Sequence, residues 1–147
     1  YLKNENIKLI IAGEFYEPID KYLNIIKELN LSEKIIIDNN FLDSKKIRDY
    51  MCASEIVIQP YIKASQSGIT PVAYFYETPL IVSNIKGLRE IVERDNSGEV
   101  FNKTSENLSK VILNSLKNNN QETYRDNIKK SKSRYTWSRF IQEIEKV

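Results

Sequence analysis

The amino-acid sequence predicts an α/β domain built on a doubly wound parallel sheet, with helices on both faces and a helical C-terminal tail. Three observations predict it. Five short runs rich in Ile, Val and Leu recur along the chain: Ile7–Ala12, Ile35–Ile37, Ile56–Ile58, Leu80–Ser83 and Glu99–Phe101. They carry little polar alternation, which is how strands covered on both faces read. Segments with helical spacing separate them, so strand and helix alternate four times, and right-handed crossovers of that kind give a parallel, Rossmann-like sheet.

In chain order, Ile19, Tyr22, Leu23, Ile26 and Leu29 follow the i, i+3, i+4, i+7 pattern after the first run, with Pro18 suited to a first helical turn. Ile47, Tyr50 and Met51 repeat it more briefly behind Ser44, the expected N-cap. A third helix is expected from near Gly68 to about Tyr76, with Pro71 in its first turn. Beyond Phe101 the pattern is wholly helical: Leu108, Val111, Ile112 and Leu116 follow Thr104, and Trp137, Phe140, Ile141 and Ile144 follow Thr136. The polar stretch Asn118-Asn119-Asn120-Gln121 is expected to break the first of these tail helices from a short middle one. Trp137 is expected to anchor the last helix, and Tyr61, Tyr74, Phe75 and Tyr76 read as core or interface aromatics.

Length and composition narrow the chemistry. The 147 residues fall in the size range of one compact domain, so residues 1–147 are expected to fold as a single unit. The chain has no histidine and one cysteine, Cys52. That removes Ser-His-Asp and Cys-His catalysis, histidine and Cys-rich zinc sites, and any internal disulfide. Cys52 has no basic neighbour to activate it, and a lone thiol fits a reducing cytoplasm. With a formal net charge of +2, a nucleic-acid partner is not expected. No stretch approaches the roughly 20 consecutive apolar residues of a membrane span, and no secretory leader is visible. The charge is uneven: residues 1–102 hold 12 Lys and Arg against 15 Asp and Glu, while residues 103–147 hold 10 against 5. This basic tail reads either as a solvated helical face or as a contact with an anionic membrane surface or a phosphorylated partner. The chain opens on Tyr1 and enters a strand almost at once, so a piece of a longer protein is expected.

In an open parallel sheet, ligands bind beyond the carboxyl ends of the strands. Three of the four glycines fall there: Gly13 after the first strand, Gly68 after the third and Gly87 after the fourth. Gly13 and Gly87 can equally close tight strand-to-helix turns. Gly98 reads as a turn into the last strand. The segment Lys63-Ala64-Ser65-Gln66-Ser67-Gly68-Ile69-Thr70-Pro71 sets small residues, hydroxyls and a glycine at a helix N-terminus, where unpaired amides and the positive dipole end attract anions. Gln66 and Ser67 can add hydrogen bonds, and Lys63 a point charge, to a phosphate. It lacks the Gly-Lys-Ser/Thr of a Walker loop and the Gly-x-Gly-x-x-Gly of a dinucleotide site. By spacing alone, it reads as either a phosphate site or a plain capped loop.

At this segment a family resemblance appears, carried by Gln59-Pro60-Tyr61, Gln66-Ser67-Gly68-Ile69, Glu77-Thr78-Pro79-Leu80-Ile81-Val82-Ser83, Gly87-Leu88-Arg89-Glu90-Ile91-Val92 and Gly98-Glu99-Val100-Phe101. That succession resembles the C-terminal, donor-binding domain of family 4 (group 1) glycosyltransferases, one half of a GT-B fold, from about Ile7 to Phe101. The closing Tyr135-Thr136-Trp137 is similar to the family's C-terminal end. The resemblance implies a retaining glycosyltransferase that takes a sugar from a nucleotide-diphosphate donor, with no metal or other cofactor. It implies that the diphosphate lies against Ser67-Gly68-Ile69 and the base against Asn39-Asn40-Phe41.

The donor-binding set expected is Gly13, Glu14, Asn40, Phe41, Lys63, Gln66, Ser67, Gly68, Ile69 and Tyr74, with catalytic residues unassigned. Many members carry two glutamates separated by seven residues around this helix. Here those places fall on Ala64 and Val72, or on Gln66 and Tyr74, depending on the proline used to align them, so the ribose is held by Gln66, by Tyr74 or by neither. The family's phosphate-clamping Arg and Lys belong to a segment ahead of Ile7. Glu90 reads either as a donor-sugar contact or as an acid in the first turn of a helix. The expected partners are a nucleotide-diphosphate sugar, the missing N-terminal domain of the same enzyme and a glycan or lipid-linked acceptor, in the cytoplasm at or near the inner membrane face. The reading from another class is a non-catalytic Rossmann-like nucleotide- or ligand-binding module.

Overall fold

The computed structural model describes residues 1–145, without the side chains of Trp137, Phe140 and Glu143. The expectation that Trp137 anchors the last helix therefore lies outside the described residues. The fold is α/β, with parallel strands flanked by helices and a helical C-terminal segment. Two compact units are distinguished, Tyr1–Tyr50 and Met51–Val147.

The first unit holds β1 (Leu9–Ala12), α1 (Asp20–Glu28), β2 (Ile35–Asp38) and α2 (Ser44–Ala53), the last of which runs into the second unit. β1 and β2 pair in parallel from Leu9 opposite Ile35 to Ala12 opposite Asp38. The apolar stripe of α1 forms as expected, yet no residue of this unit is fully buried. The cap of α2 lies one residue earlier than Ser44: the Asp43 carboxylate accepts from the Lys46 backbone N–H at 2.8 Å. Asp and Ser both serve as caps, and Asp43 lies at the position from which a side chain reaches the third helical N–H.

The second unit is built on β3 (Val57–Gln59), β4 (Leu80–Ser83) and β5 (Gly98–Phe101), paired in parallel in sequence order. α3 (Ile69–Phe75) joins the first two strands and α4 (Lys86–Asp95) the last two. β4 is the centre, and all four of its residues are buried. Leu80 and Val82 pack on one face with Ala73, Tyr74, Leu88, Val92 and Ile128, while Ile81 and Ser83 are buried on the other. Such two-sided cover is what an unbroken apolar run predicts. β5 approaches β4 so closely that a Cβ on Gly98 would lie 1.8 Å from the Leu80 carbonyl oxygen.

The tail forms α5 (Ser105–Lys117), α6 (Gln121–Ser131), a 3-10 turn (Lys132–Tyr135) and α7 (Trp137–Ile144). The break at Asn118–Asn120 stands where the sequence puts it, and Thr104 and Thr136, the residues ahead of the two helical patterns, cap α5 and α7, each hydroxyl accepting from the N–H three residues on. Four of the tail's ten cations form ion pairs among the described residues. Lys132 reaches Glu77 at 2.5 Å, Lys129 pairs with Asp126 and Glu77, Lys110 with Glu106, and Arg134 with Asp95. Glu77 takes a left-handed conformation (φ 59°) just past α3, a position glycine usually fills, and from there its carboxylate meets the tail.

Asp95 is the buried charge of this unit, its side chain fully out of water. Arg94 grips it through two hydrogen bonds at 2.9 and 3.0 Å, Arg134 binds the same carboxylate, and the Tyr74 hydroxyl lies 2.9 Å from it. Tyr135 stacks edge-on against Tyr74 and hydrogen-bonds Arg94. Burial pushes the Asp95 pKa up. The hydrogen bonds of Arg94 and Tyr74 and the charges of both arginines outweigh it and hold the group below the ordinary carboxylate range. As pH falls, the unfolded chain takes up a proton first, so the contribution is complete above about pH 4 and is lost as pH drops through the lower folded value. Asp95→Asn is expected to cost about 2–3 kcal/mol, below the usual figure for breaking a buried pair because both arginines are half exposed. Urea unfolding at pH 7 and pH 3 checks it: the gap between wild type and variant should narrow at the lower pH.

Candidate functional site

Each unit presents a set of candidate residues at the carboxyl ends of its strands. In the first unit, the loop after β1 is tied to the loop after β2 by two hydrogen bonds, Gly13 N–H to the Asp38 carbonyl at 3.0 Å and Phe15 N–H to Asn39 Oδ1 at 2.9 Å. This brings Gly13 and Glu14 to the same end of the sheet as Asn40 and Phe41. Gly13 has φ +131°, a conformation that side chains resist, so glycine is required by the backbone itself. An open depression of about 530 Å³ is lined by Ile11 to Glu17. Glu17 is engaged by Lys21 and Tyr22, whereas Glu14 is exposed and has no ion-pair partner among the described residues. Two carboxylates at this depression suit groups that donate hydrogen bonds and disfavour phosphate. Phe41 is 78% exposed, an unusual placement for a phenylalanine.

In the second unit, the β3–α3 loop carries Lys63, Gln66, Ser67, Gly68 and Ile69, and five contacts hold it in one shape. The Tyr61 hydroxyl meets Ser67 Oγ at 3.1 Å, and Ser67 Oγ accepts the Ile69 N–H at 3.1 Å. Ser83 Oγ and Lys103 Nζ donate to the carbonyls of Tyr61 and Ile62, each at 2.8 Å. Buried Gln59, the last residue of β3, exchanges hydrogen bonds with Thr70 at 3.2 and 3.3 Å. Lys63 and Gln66 are exposed, and Gly68 opens onto free space.

Three expectations change here. Tyr74 is not presented to a ligand: it is wholly buried, and its hydroxyl is spent on Asp95 and on Ser97 at 2.8 Å. Burial drives its pKa far above the ordinary tyrosine value, with a hydrogen bond from Ser97 opposing. The amide cradle at α3 is also smaller than expected. Ile69 N–H goes to Ser67 Oγ, Thr70 N–H goes to the Ser67 carbonyl at 3.2 Å, and Pro71 has none. The N–H groups of Ser67 and Gly68 remain without a partner among the described residues. Glu90 lies in the second turn of α4, exposed, rather than in the first. Of the aromatics read as core or interface residues, Phe75 is 71% exposed.

Sequence reasoning missed Asp38, Lys46, Tyr50, Gln59 and Lys103: Lys103 meets a carbonyl 41 residues away, and the others pair across loops, over 2 to 12 positions, that no helical or strand period links. The role of Gly87 also emerges only in three dimensions. A Cβ there would lie 1.8 Å from the Ser65 carbonyl oxygen, so the first turn of α4 presses against the loop that carries Gln66 to Gly68.

Parallel strands with polar loops at their carboxyl ends are the setting in which open α/β sheets bind ligands. Residues 1–134 match the family described as glycosyl transferases group 1, and the chain belongs to that family. Three solved structures share the fold. They are WaaG, a glycosyltransferase involved in lipopolysaccharide biosynthesis (TM-score 0.75, 14% identity, 87% of this chain and 34% of that one), and the Thermosynechococcus elongatus sucrose-phosphate synthase (0.77, 17%, 95% and 37%). The third is Anabaena HepE in complex with UDP-glucose (0.78, 18%, 88% and 37%). The chain thus spans about a third of the length of these structures. No curated protein sequence matches it. No helix among the described residues is long and apolar enough to cross a membrane.

Gly87→Ala is expected to displace the Ser65 backbone at a cost of about 1–3 kcal/mol, the usual range for overpacking. Amide exchange checks the direction: the Ile69 and Thr70 N–H groups should lose protection more than those of β4.

Proposed function

We propose that this chain is the nucleotide-sugar-binding part of a retaining glycosyltransferase that moves a sugar from a nucleotide-diphosphate donor to a glycan or lipid-linked acceptor in building a cell-surface polysaccharide. The observation that carries the reading is the pinned β3–α3 loop, where two free amides, an exposed lysine and an exposed glutamine stand around a glycine that opens onto space. As the glycosidic bond to the diphosphate breaks, the leaving group gains negative charge. Donors already fixed in place stabilise that charge without reorganising. The Ser67 and Gly68 amides, Gln66 and Lys63 fill this role, with Ile69 packing beside them.

The HepE structures with UDP and with UDP-glucose support a nucleotide-sugar donor for the family fold. In the first unit, the exposed Phe41 ring offers a stacking face for the base, Asn40 a polar contact, and Glu14 beside Gly13 an acceptor for sugar hydroxyls. No metal is assigned to the reaction: lysine and amides supply the countercharge. The acceptor site and the groups acting at the anomeric carbon belong to a further, N-terminal domain, so this chain alone binds nucleotide without transferring sugar. Cytoplasmic placement fits the exposed free thiol of Cys52.

Titration of the chain with UDP, GDP and ADP tests the reading. Saturation by at least one with a Kd of about 1 mM or tighter is expected, and failure of all three overturns it. Gly68→Val should weaken that binding about tenfold or more while the melting curve stays close to wild type, because its side chain enters open space at an ordinary φ of −64°. Unchanged affinity in the folded variant removes the loop from the site.

A further inference from the structure

Asp38 ends β2, and its carboxylate receives three donors. Asn40 Nδ2 lies 2.6 Å from Oδ1, while Lys46 Nζ at 2.8 Å and the Tyr50 hydroxyl at 2.7 Å share Oδ2. The hydrogen bond from Asn40, then those from Lys46 and Tyr50, hold this carboxyl far below the ordinary range, so it stays ionised at neutral pH. An ionised carboxylate only accepts.

The Asn40 amide therefore has a single orientation against Asp38. Its NH₂ faces the carboxylate, because a flipped amide would set carbonyl oxygen against carboxylate oxygen. The other end of the same planar group, Oδ1, is turned away from Asp38. Asn40 is exposed, and Oδ1 has no hydrogen-bond partner among the described residues. Neighbouring Asn39 cannot substitute, since its own Oδ1 is committed to the Phe15 N–H. Phe41, 78% exposed, follows directly and offers a flat apolar ring.

We infer that Asn40 Oδ1 is the acceptor that reads the donor's base through a ring N–H, and that Asp38 is the positioning residue that fixes its direction. The inference rests on the reading above, in which the Asn39–Phe41 loop receives the base. Uracil and guanine each carry a ring imino N–H, at N3 and N1, whereas adenine sets a lone pair at the equivalent ring position and donates only from its exocyclic amino group, so an acceptor facing that ring position is repelled by adenine. The loop thus selects a uridine or guanosine diphosphate donor over an adenosine one. Once a base covers Asn40 Oδ1 and displaces its water, a ligand without the matching donor leaves that acceptor unpaired and binds less tightly.

The test uses the whole chain, with UDP, GDP, ADP and the two methylated probes N3-methyl-UDP and N1-methyl-GDP. UDP or GDP should bind more tightly than ADP, and methylation of the preferred one should weaken binding at least about tenfold. Asn40→Ala should abolish the difference between the preferred nucleotide and its methylated form. Asp38→Asn should shrink that ratio, a readout that a purely structural role would leave untouched. If Asp38→Asn fails to fold, Asn40→Ala carries the test, because that side chain is exposed. Equal binding of the methylated probe, preference for ADP, or a ratio that survives Asn40→Ala overturns the inference and leaves the glycosyltransferase reading intact. Failure of every nucleotide to bind overturns both.

Discussion

Asp95 is a charge without water, and the architecture of the larger unit follows from keeping it satisfied. A lone carboxylate in that position would be strongly disfavoured, so groups from separate stretches converge on it: Arg94 beside it, Tyr74 from α3, and Arg134 from the turn after α6. Each brings its own element along. Tyr74 draws α3 against α4, and Arg134 with Tyr135 draws the C-terminal helices back over that packed pair. The hydrophobic cluster of Leu80, Val82, Leu88, Val92 and Ile128 supplies most of the buried apolar area. Apolar contacts alone would tolerate several registers of the tail, whereas a charge-assisted hydrogen bond from Arg134 to one buried carboxylate accepts few.

The strands were legible because each is a short apolar run whose neighbours are equally apolar, and burial on both faces of β4 leaves no alternation to misread. The starts of α5 and α7 after Thr104 and Thr136 were legible because helical spacing and capping are both local. What stayed hidden was long-range. Nothing in the residues around Tyr74 announces that its hydroxyl is claimed by a carboxylate on the next helix, and the aromatic-rich stretch from Tyr74 to Tyr76 divides into a core residue, an exposed one and a half-buried one. Pro71 marks the first turn of α3 in sequence and at the same time removes one of the amides that the turn was expected to offer. The contact between Gly87 and Ser65 joins two loops that are distant in the chain, and only the packing of α4 on the sheet reveals it.

The polar chemistry of the two units differs in sign. The loops of the first end in Glu14, Asp38 and two asparagines, groups that accept hydrogen bonds, with an exposed aromatic ring alongside. The loop of the second offers amide and ammonium donors. Neither surface uses a titrating histidine, in keeping with a sequence that has none.

The first unit has no fully buried residue, and its sheet is a single pair of strands. Free energies of local opening scale with the apolar contact a segment would lose, so this part of the chain sits at the low end of the molecule's stability scale. The consequence is kinetic as well as thermodynamic. Amides of β1 and β2 will exchange through small, frequent openings, while those of β4 wait for loss of the Asp95 assembly. A ligand seated on the Asn39–Phe41 loop then does more than bind: it adds free energy to the weaker unit and narrows the difference between the two.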